Sequence, residues 1–516
     1  MSLAGLNAET IPHLVVPPPA VARHPETLVK PRELKAWLAD MPMADTQQLA
    51  EQLHRQLKLL VRDPKIESRY AELLELYHPT LQEMQAQLWS QLSGKHHNLK
   101  NPGLYRTTVS QLLLEVACGH MRLVNQQIAR GKPPAHVQIY HAMLPLCRLL
   151  QWDLLQYNLT RPSLWRQVLQ LFSIGELYQI NDHKVSSALS LDHDAESSHG
   201  MFFATLVMLL SDPYRLPREE LVCLEQSLGG LSEYLRINST GEADYRVTID
   251  LSGDLPPLRH ARQNMVARPG AQYLQLDEFF AQVEQQGLPD DNGSLAKWLT
   301  SSLRDLALKP GGRDARRHVR QKHQADYHYV QNLPKVHQRL TEIQTGQTHV
   351  SQSPAPDSGI VLDDEPQQPD SVELGTPCRQ IDHSLTGAGF MLGANTTPPP
   401  VGCWVLFEAD TPEGKGSRGF IAQVRRCLNF DDKATEIGVE KLRGSVIPVT
   451  FGLDHHIGLL HVNREERLFH LIAPLGSFRG PGQHPHTLRG ANKEYTVRFE
   501  ALIESNTTER IRLSLV

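Results

Sequence analysis

Between Pro31 and about Leu235 the apolar residues recur at helical spacing, the pattern of helices that bury one face. Leu49, Leu53, Leu57, Leu60 and Val61 form one such stripe behind Asp45 and Gln48, a pair placed to cap a helix start. The stretch RYAELLELY (69–77) stops before Pro79, and a second helix carries Leu81, Met84, Leu88 and Trp89. QLLLEVACGHMRLV, HAMLPLCRLLQWDLLQY and Leu164–Leu171 repeat the habit, with short polar or proline-marked breaks. The stripes read as core. No fixed repeat period survives beyond two units, so the prediction is a helical bundle or irregular solenoid rather than a regular array. Ahead of it, residues 1–30 are proline-rich and aperiodic, an extended tail.

Near Ala243 the period changes. Tyr245, Val247, Ile249 and Leu251 alternate with polar residues, as in a strand. Tyr273–Leu276 predicts a second strand, and Asp277 is placed to cap a helix. Leu295, Trp298, Leu299, Leu303 and Leu306 define another helix after Ser294. Tyr327–Leu340 is expected to supply a first barrel strand and turn. Residues 345–377 are rich in Ser, Pro, Gln and Asp and are expected to be disordered. Beyond them strand patterns continue to the C-terminus, through WVLF, VIPVTFGL, IGLLHV, RLFHLIAP, YTVRFEALIE and RIRLSLV. The fold class is therefore multidomain α + β.

Composition narrows the function classes only modestly. A chain of 516 residues with 40% hydrophobic and 21% charged residues is an ordinary globular protein of about three domains. No apolar run approaches the length of a bilayer span. The N-terminus lacks the charged and apolar regions of a signal peptide. The cysteines 118, 147, 223, 378, 403 and 427 contain no C-x-x-C pair, which suits reduced thiols in the cytoplasm. His455, His456 and His461, and His484 with His486, show no metal-finger spacing, so no metal or cofactor is expected. P-loop, nucleophile-elbow and dinucleotide motifs are absent, and Gly-rich GKGSRG (414–419) reads as a hairpin loop. No carboxylate pair stands out as acid and base, so the chain is not expected to be an enzyme.

The most informative stretch is Asp382-His383-Ser384-Leu385-Thr386-Gly387. An Asp and a Ser two positions apart face the same side of an extended backbone. Gly387 is expected to turn the chain through a positive φ. Upstream, Arg304, Lys309, Arg313, Arg316, Arg317, Arg320 and Lys322 face only Asp305 and Asp314, in a chain of net charge −5. A basic island in an acidic protein calls for an anionic partner. Arg316 and Arg320 form an R-x-x-x-R pair, and Arg313 with Arg317 a second. Downstream come GFIAQVRRCLNF and EIGVEKL around Gly438.

Together these segments resemble the PilZ domain, a small β-barrel that binds cyclic di-GMP. The resemblance implies an R-x-x-x-R clamp at the barrel entrance, from Arg316 and Arg320 with Arg313 and Arg317 as stand-ins. It implies a ligand-facing turn of Asp382 and Ser384, shaped by Gly387. Arginine suits the ligand because its planar guanidinium binds phosphate or guanine bidentately, and Asp382 can accept from guanine N–H groups. The chain departs from the family in the long stretch 321–381 between clamp and turn, and in Lys441-Leu442 where an aromatic is usual.

The resulting layout is a tail (1–30), a helical domain (31–240), an α/β connector (241–312), a PilZ-like barrel (313–442) with its insertion at 345–377, and a β extension (443–516). Arg479 or Arg489 of that extension is placed to reach the ligand. The expected function is a cytoplasmic, non-catalytic cyclic di-GMP receptor whose helical domain binds a protein partner in motility, adhesion or secretion. One alternative is an adaptor whose barrel has lost its ligand and binds only protein. Another is RNA binding through residues 304–322, disfavoured because the strands lack interleaved aromatic and basic positions.

Overall fold

The computed structural model describes residues 12–42, 45–66, 68–92, 101–159, 161–190, 196–238, 245–249, 251, 272–289, 293–308, 321–345, 375–384, 386–394, 396–409, 419–430, 434–452, 454–481, 485–491, 493–505 and 507–516. The chain divides into two compact units, one of residues 1–213 and 218–316 and one of residues 214–217 and 317–516.

The first unit is helical: α1 (Pro31–Ala39), α2 (Thr46–Val61), α3 (Tyr70–Glu75), α4 (His78–Leu92), α5 (Pro102–Ala129), α6 (His136–Leu155) and α7 (Pro162–Leu177), then α8 (Ser198–Leu210) and α9 (Arg218–Leu231). The Asp45 carboxylate accepts from the Gln48 backbone N–H at 3.0 Å and so starts α2. Its stripe Leu49, Leu53, Leu57, Leu60 and Val61 is buried. Before α8 a two-stranded ribbon forms from β1 (Lys184–Val185) and β2 (Glu196–Ser197). From residue 12 onward the tail is largely irregular but anchored. Asn125 of α5 bonds both the N–H and the carbonyl of buried Leu14.

A small sheet completes this unit in the order β3 (Arg236–Asn238), β5 (Gln272–Gln275), β4 (Arg246–Ile249). Helices α10 (Asp277–Gln286) and α11 (Ser294–Leu308) follow it. Arg304, the first cation of the basic stretch, lies 4.9 Å over Phe280 and bonds Glu284 at 2.8 Å. Among the described residues no helix is long and apolar enough to cross a membrane.

The second unit holds two closed antiparallel barrels. The first uses β6 (Gln321–Gln331), β7 (Thr376–His383), β8 (Gly387–Leu392), β9 (Trp404–Ala409), β10 (Gly419–Phe430) and β11 (Ala434–Lys441), closing in the order β10-β11-β8-β7-β6-β9. Its first strand begins earlier than expected, and the predicted turn is the helix α12 (Leu333–Thr345). Residues 346–374, most of the expected disordered insertion, lie outside the described residues. Phe390 stacks on Phe407 at 4.2 Å inside the barrel, and Phe420 on Phe407 at 5.3 Å.

Residues 443–516, read from sequence as an extension, are themselves a barrel. Strands β12 (Ser445–Phe451), β13 (His456–Asn463), β14 (Leu468–Ala473), β15 (His486–Arg489), β16 (Glu494–Ser505) and β17 (Glu509–Leu515) close in the order β12-β13-β14-β17-β16-β15. Their inner face packs Val449, Leu460, Leu471, Leu488, Val497 and Ile511.

The barrels share an apolar layer. Trp404, Leu406 and Ile421 face out of the first barrel and meet Leu333 and Val336 of α12 and Leu459 and Ile472 of the second barrel. Strand β9 is thus covered on both faces, which is why WVLF reads as a continuous apolar run instead of alternating. Only Leu442–Gly444 connect β11 to β12. Gly444 has φ 107°, and a Cβ there would lie 2.3 Å from the Val462 carbonyl.

At the same boundary His461 and His470 pair across β13 and β14, with their Nδ1 atoms 3.4 Å apart. His461 Nε2–H donates to the Arg443 carbonyl, and Arg510 donates to His470 Nδ1 at 3.2 Å while lying over Trp404. Burial first, and the Arg510 guanidinium second, lower the His470 pKa to about 4. The fold therefore favours neutral His470. Its contribution to stability is complete above the ordinary histidine range, near 6.5, and is lost as pH falls from there to about 4. Thermal melts across that window are expected to show falling Tm, with a shallower fall in His470→Gln. An unchanged slope in the variant contradicts this assignment.

Candidate ligand-binding site on the first barrel

The turn between β7 and β8 is closed by its own serine. Ser384 N–H donates to the Gly387 carbonyl at 2.8 Å, and Gly387 N–H donates to Ser384 Oγ at 3.1 Å. Ser384 thus caps the turn. Gly387 does not carry the expected positive φ. A close approach requires it instead: a Cβ there would lie 2.8 Å from the Val439 carbonyl. The Lys441 backbone N–H also donates to the Thr386 carbonyl at 2.9 Å, so the turn is pressed against the end of β11.

Register then builds a row across five strands. Lys322 of β6 pairs with Asp382 of β7, Asp382 with Gly389 of β8, Gly389 with Gly438 of β11, and Gly438 with Arg426 of β10. Directly opposed residues share a face. Their neighbours Phe390, Ile437 and Cys427 are buried in the interior, so the row lies on the outer surface. Bulges adjoin Asp382 in both of its ladders and another precedes Arg426, a common way of re-aiming side chains beside a site.

The two glycines, both buried, put backbone rather than side chains between a carboxylate and a guanidinium. A Cβ on Gly389 would sit 2.7 Å from Asp382 Oδ1, so the carboxylate folds over this glycine. A Cβ on Gly438 would meet the Arg426 Cβ at 3.4 Å. Arg426 is partly exposed and keeps a loose 3.9 Å contact with Glu436. The result is a row with a hydrogen-bond acceptor within it and cations at both ends, Lys322 and Arg426. Such a surface accepts a planar group carrying N–H donors together with negative charge.

Of the residues predicted from sequence, Asp382, Ser384 and Gly387 come together at this turn. Arg313, Arg316, Arg317 and Arg320 lie outside the described residues. Arg320 is bonded directly to Gln321, whose cross-strand partner is His383. Gly389, Arg426 and Lys322 escaped sequence reasoning as members of the site. A usable signal was present for one of them: a glycine inside a strand, as in GAGF, often marks close approach of another group.

Where the family has an aromatic, Lys441 places its Nζ 4.7 Å over the Phe420 ring, and burial lowers its pKa. Leu442 packs into the layer between the barrels. Arg489 belongs to the second barrel and bonds Glu494 at 3.2 Å.

Helical unit and paired antiparallel barrels define a multidomain α + β protein, and a six-stranded barrel with this turn fits a PilZ-like fold. Residues 32–242 match the family model described as "Cyclic-di-GMP receptor FimW, N-terminal domain". That match covers less than half of the chain and stops before both barrels, and no PilZ family model matches them. No curated protein matches the chain significantly.

The two turn glycines are expected to respond differently to a methyl group. Gly387→Ala meets backbone and should cost about 1–3 kcal/mol. Gly389→Ala meets a carboxylate that can swing aside, and should cost less stability. Urea unfolding of both variants checks the order, which a larger cost for Gly389→Ala would reverse.

Proposed function

We propose that this chain is a non-catalytic, cytoplasmic receptor for cyclic di-GMP. The nucleotide binds at the first barrel, and its binding is passed to a protein partner of the helical unit. The observation that carries this reading is the row Lys322–Asp382–Gly389–Gly438–Arg426 beside the D-x-S-x-x-G turn. It stands in a chain whose helical residues match the N-terminal domain of a described cyclic di-GMP receptor. The scattered cysteines, with no C-x-x-C pair in the sequence, are in keeping with a reducing compartment.

The roles follow from the chemistry of each group. Asp382 accepts from the N1–H and N2–H₂ edge of guanine. Lys322 and Arg426 supply positive charge to the phosphodiesters. Arg316 and Arg320, with Arg313 and Arg317 as stand-ins, close over the ligand from the segment leading into β6. The long sequence stretch before Asp382 does not oppose this, because β6 pairs directly with β7 and loop length costs little once its ends are tied. Engagement of these arginines by the ligand gives it different affinities for two arrangements of the chain, and that difference drives the switch. The engagement of Arg304 with Glu284 and Phe280 removes one cation from the RNA-binding alternative.

Calorimetric titration of the full-length chain with cyclic di-GMP tests the reading. Micromolar or tighter binding is expected. Each charged hydrogen bond is worth about 1.5–3 kcal/mol, so Asp382→Ala should weaken binding by roughly ten- to a hundredfold. Arg316→Ala/Arg320→Ala should weaken it at least as much, and Arg489→Ala on the second barrel should leave it unchanged. Absence of heat and of any thermal shift well above micromolar ligand would overturn the receptor reading in favour of a protein-only adaptor.

A further inference from the structure

The helical unit contains a second cluster of chemistry that the nucleotide site does not use. His78 at the start of α4, His120 in the middle of α5 and His141 in α6 converge in its core. One ligand nitrogen from each lies within 4.8 Å of the other two. The three residues are 2%, 1% and 5% exposed. His78 Nε2 and His120 Nε2 face each other at 3.5 Å. Two nitrogens bound to one tetrahedral zinc at about 2.0–2.1 Å are roughly 3.3 Å apart, so this pair already has the spacing of a shared metal.

His141 is oriented for the third position. Its Nε2 lies 3.0 Å from Ser187 Oγ, while its Nδ1 is buried without a hydrogen-bond partner. A histidine that donates one N–H to a neighbouring oxygen and directs the other nitrogen to a metal is the usual arrangement in metal sites. A buried nitrogen left bare is destabilising, and a metal bond would satisfy it. Burial lowers all three histidine pKa values, His78 to about 3 and His141 to about 4. At neutral pH the rings therefore offer lone pairs rather than protons. The cluster draws on three helices, two of which, α5 and α6, pack along each other.

We propose that His78, His120 and His141 bind a divalent transition metal, with His78 and His120 ligating through Nε2 and His141 through Nδ1. Three neutral imidazoles with no thiolate among the described residues suit Zn²⁺, or Co²⁺ in its place, and do not suit the oxygen-seeking Ca²⁺ or Mg²⁺. The fourth position is open to water or an anion. The metal would tie α4, α5 and α6 together and stabilise the helical unit by mass action. This site is independent of the nucleotide reading, and its test does not use cyclic di-GMP.

The test starts from full-length protein stripped with a chelator. Titration with Co²⁺ is expected to give the visible d–d bands of a four-coordinate nitrogen site, saturating at about one equivalent. Added Zn²⁺ should bleach those bands and raise the Tm by several degrees. His78→Gln/His141→Gln, checked for helix content by circular dichroism, should lose both responses. The proposal is overturned if stripped wild-type protein gives neither the cobalt spectrum nor a Tm shift. It is equally overturned if a folded double variant keeps both responses, since the metal then sits on other histidines.

Discussion

Closure of the first barrel by β6 is the constraint on which the candidate site depends. This strand pairs with β7 on one edge and β9 on the other, so it must lie where the chain seals the barrel. Its first residues are thereby set against His383 and Asp382, although residues 332–375 intervene in sequence. Backbone hydrogen bonding, rather than any property of the side chains at the site, sets Gln321 and Lys322 against the turn. The same ladder aligns Asp382, Gly389, Gly438 and Arg426 into one row, because a register shift of one residue would send every second side chain to the interior.

The second constraint is the apolar layer between the barrels. Trp404 and Leu406 leave the first barrel on the face opposite Val405 and Phe407, and α12 with Leu459 and Ile472 covers them. Polar contacts reinforce the junction: Glu504 of the second barrel accepts from Gln423 at 2.9 Å and from Arg425 at 3.0 Å. A three-residue connection, whose Gly444 admits no side chain, joins the pair. The second barrel therefore buttresses the strands that carry the candidate site.

Polar groups in the two units serve different ends. On the barrel, the charges of Lys322, Asp382 and Arg426 stay at least partly exposed around two buried glycines. In the helical unit, three histidines are buried together among α4, α5 and α6. Elsewhere buried charge is matched locally, as in Arg148 with Glu225 at 2.5 Å and Arg23 with Asp63 at 2.6 Å.

The sequence alone determined the elements whose causes are local. Helical stripes such as Leu49–Val61, the Asp45 cap and the helix break before Pro79 are set by neighbours within a turn or two. The D-x-S-x-x-G turn was legible for the same reason, since Ser384 and Gly387 bond each other. Tertiary structure decided what depends on register and long-range pairing. It made residues 443–516 a closed barrel rather than an extension, because six alternating strands give no local sign of which edges will meet. It gave Gly387 a packing role against Val439 instead of a left-handed turn, and it added Gly389 and Arg426 to the row. It also gathered His78, His120 and His141, far apart in the chain and without metal-binding spacing, since helices bring together residues that share no sequence window.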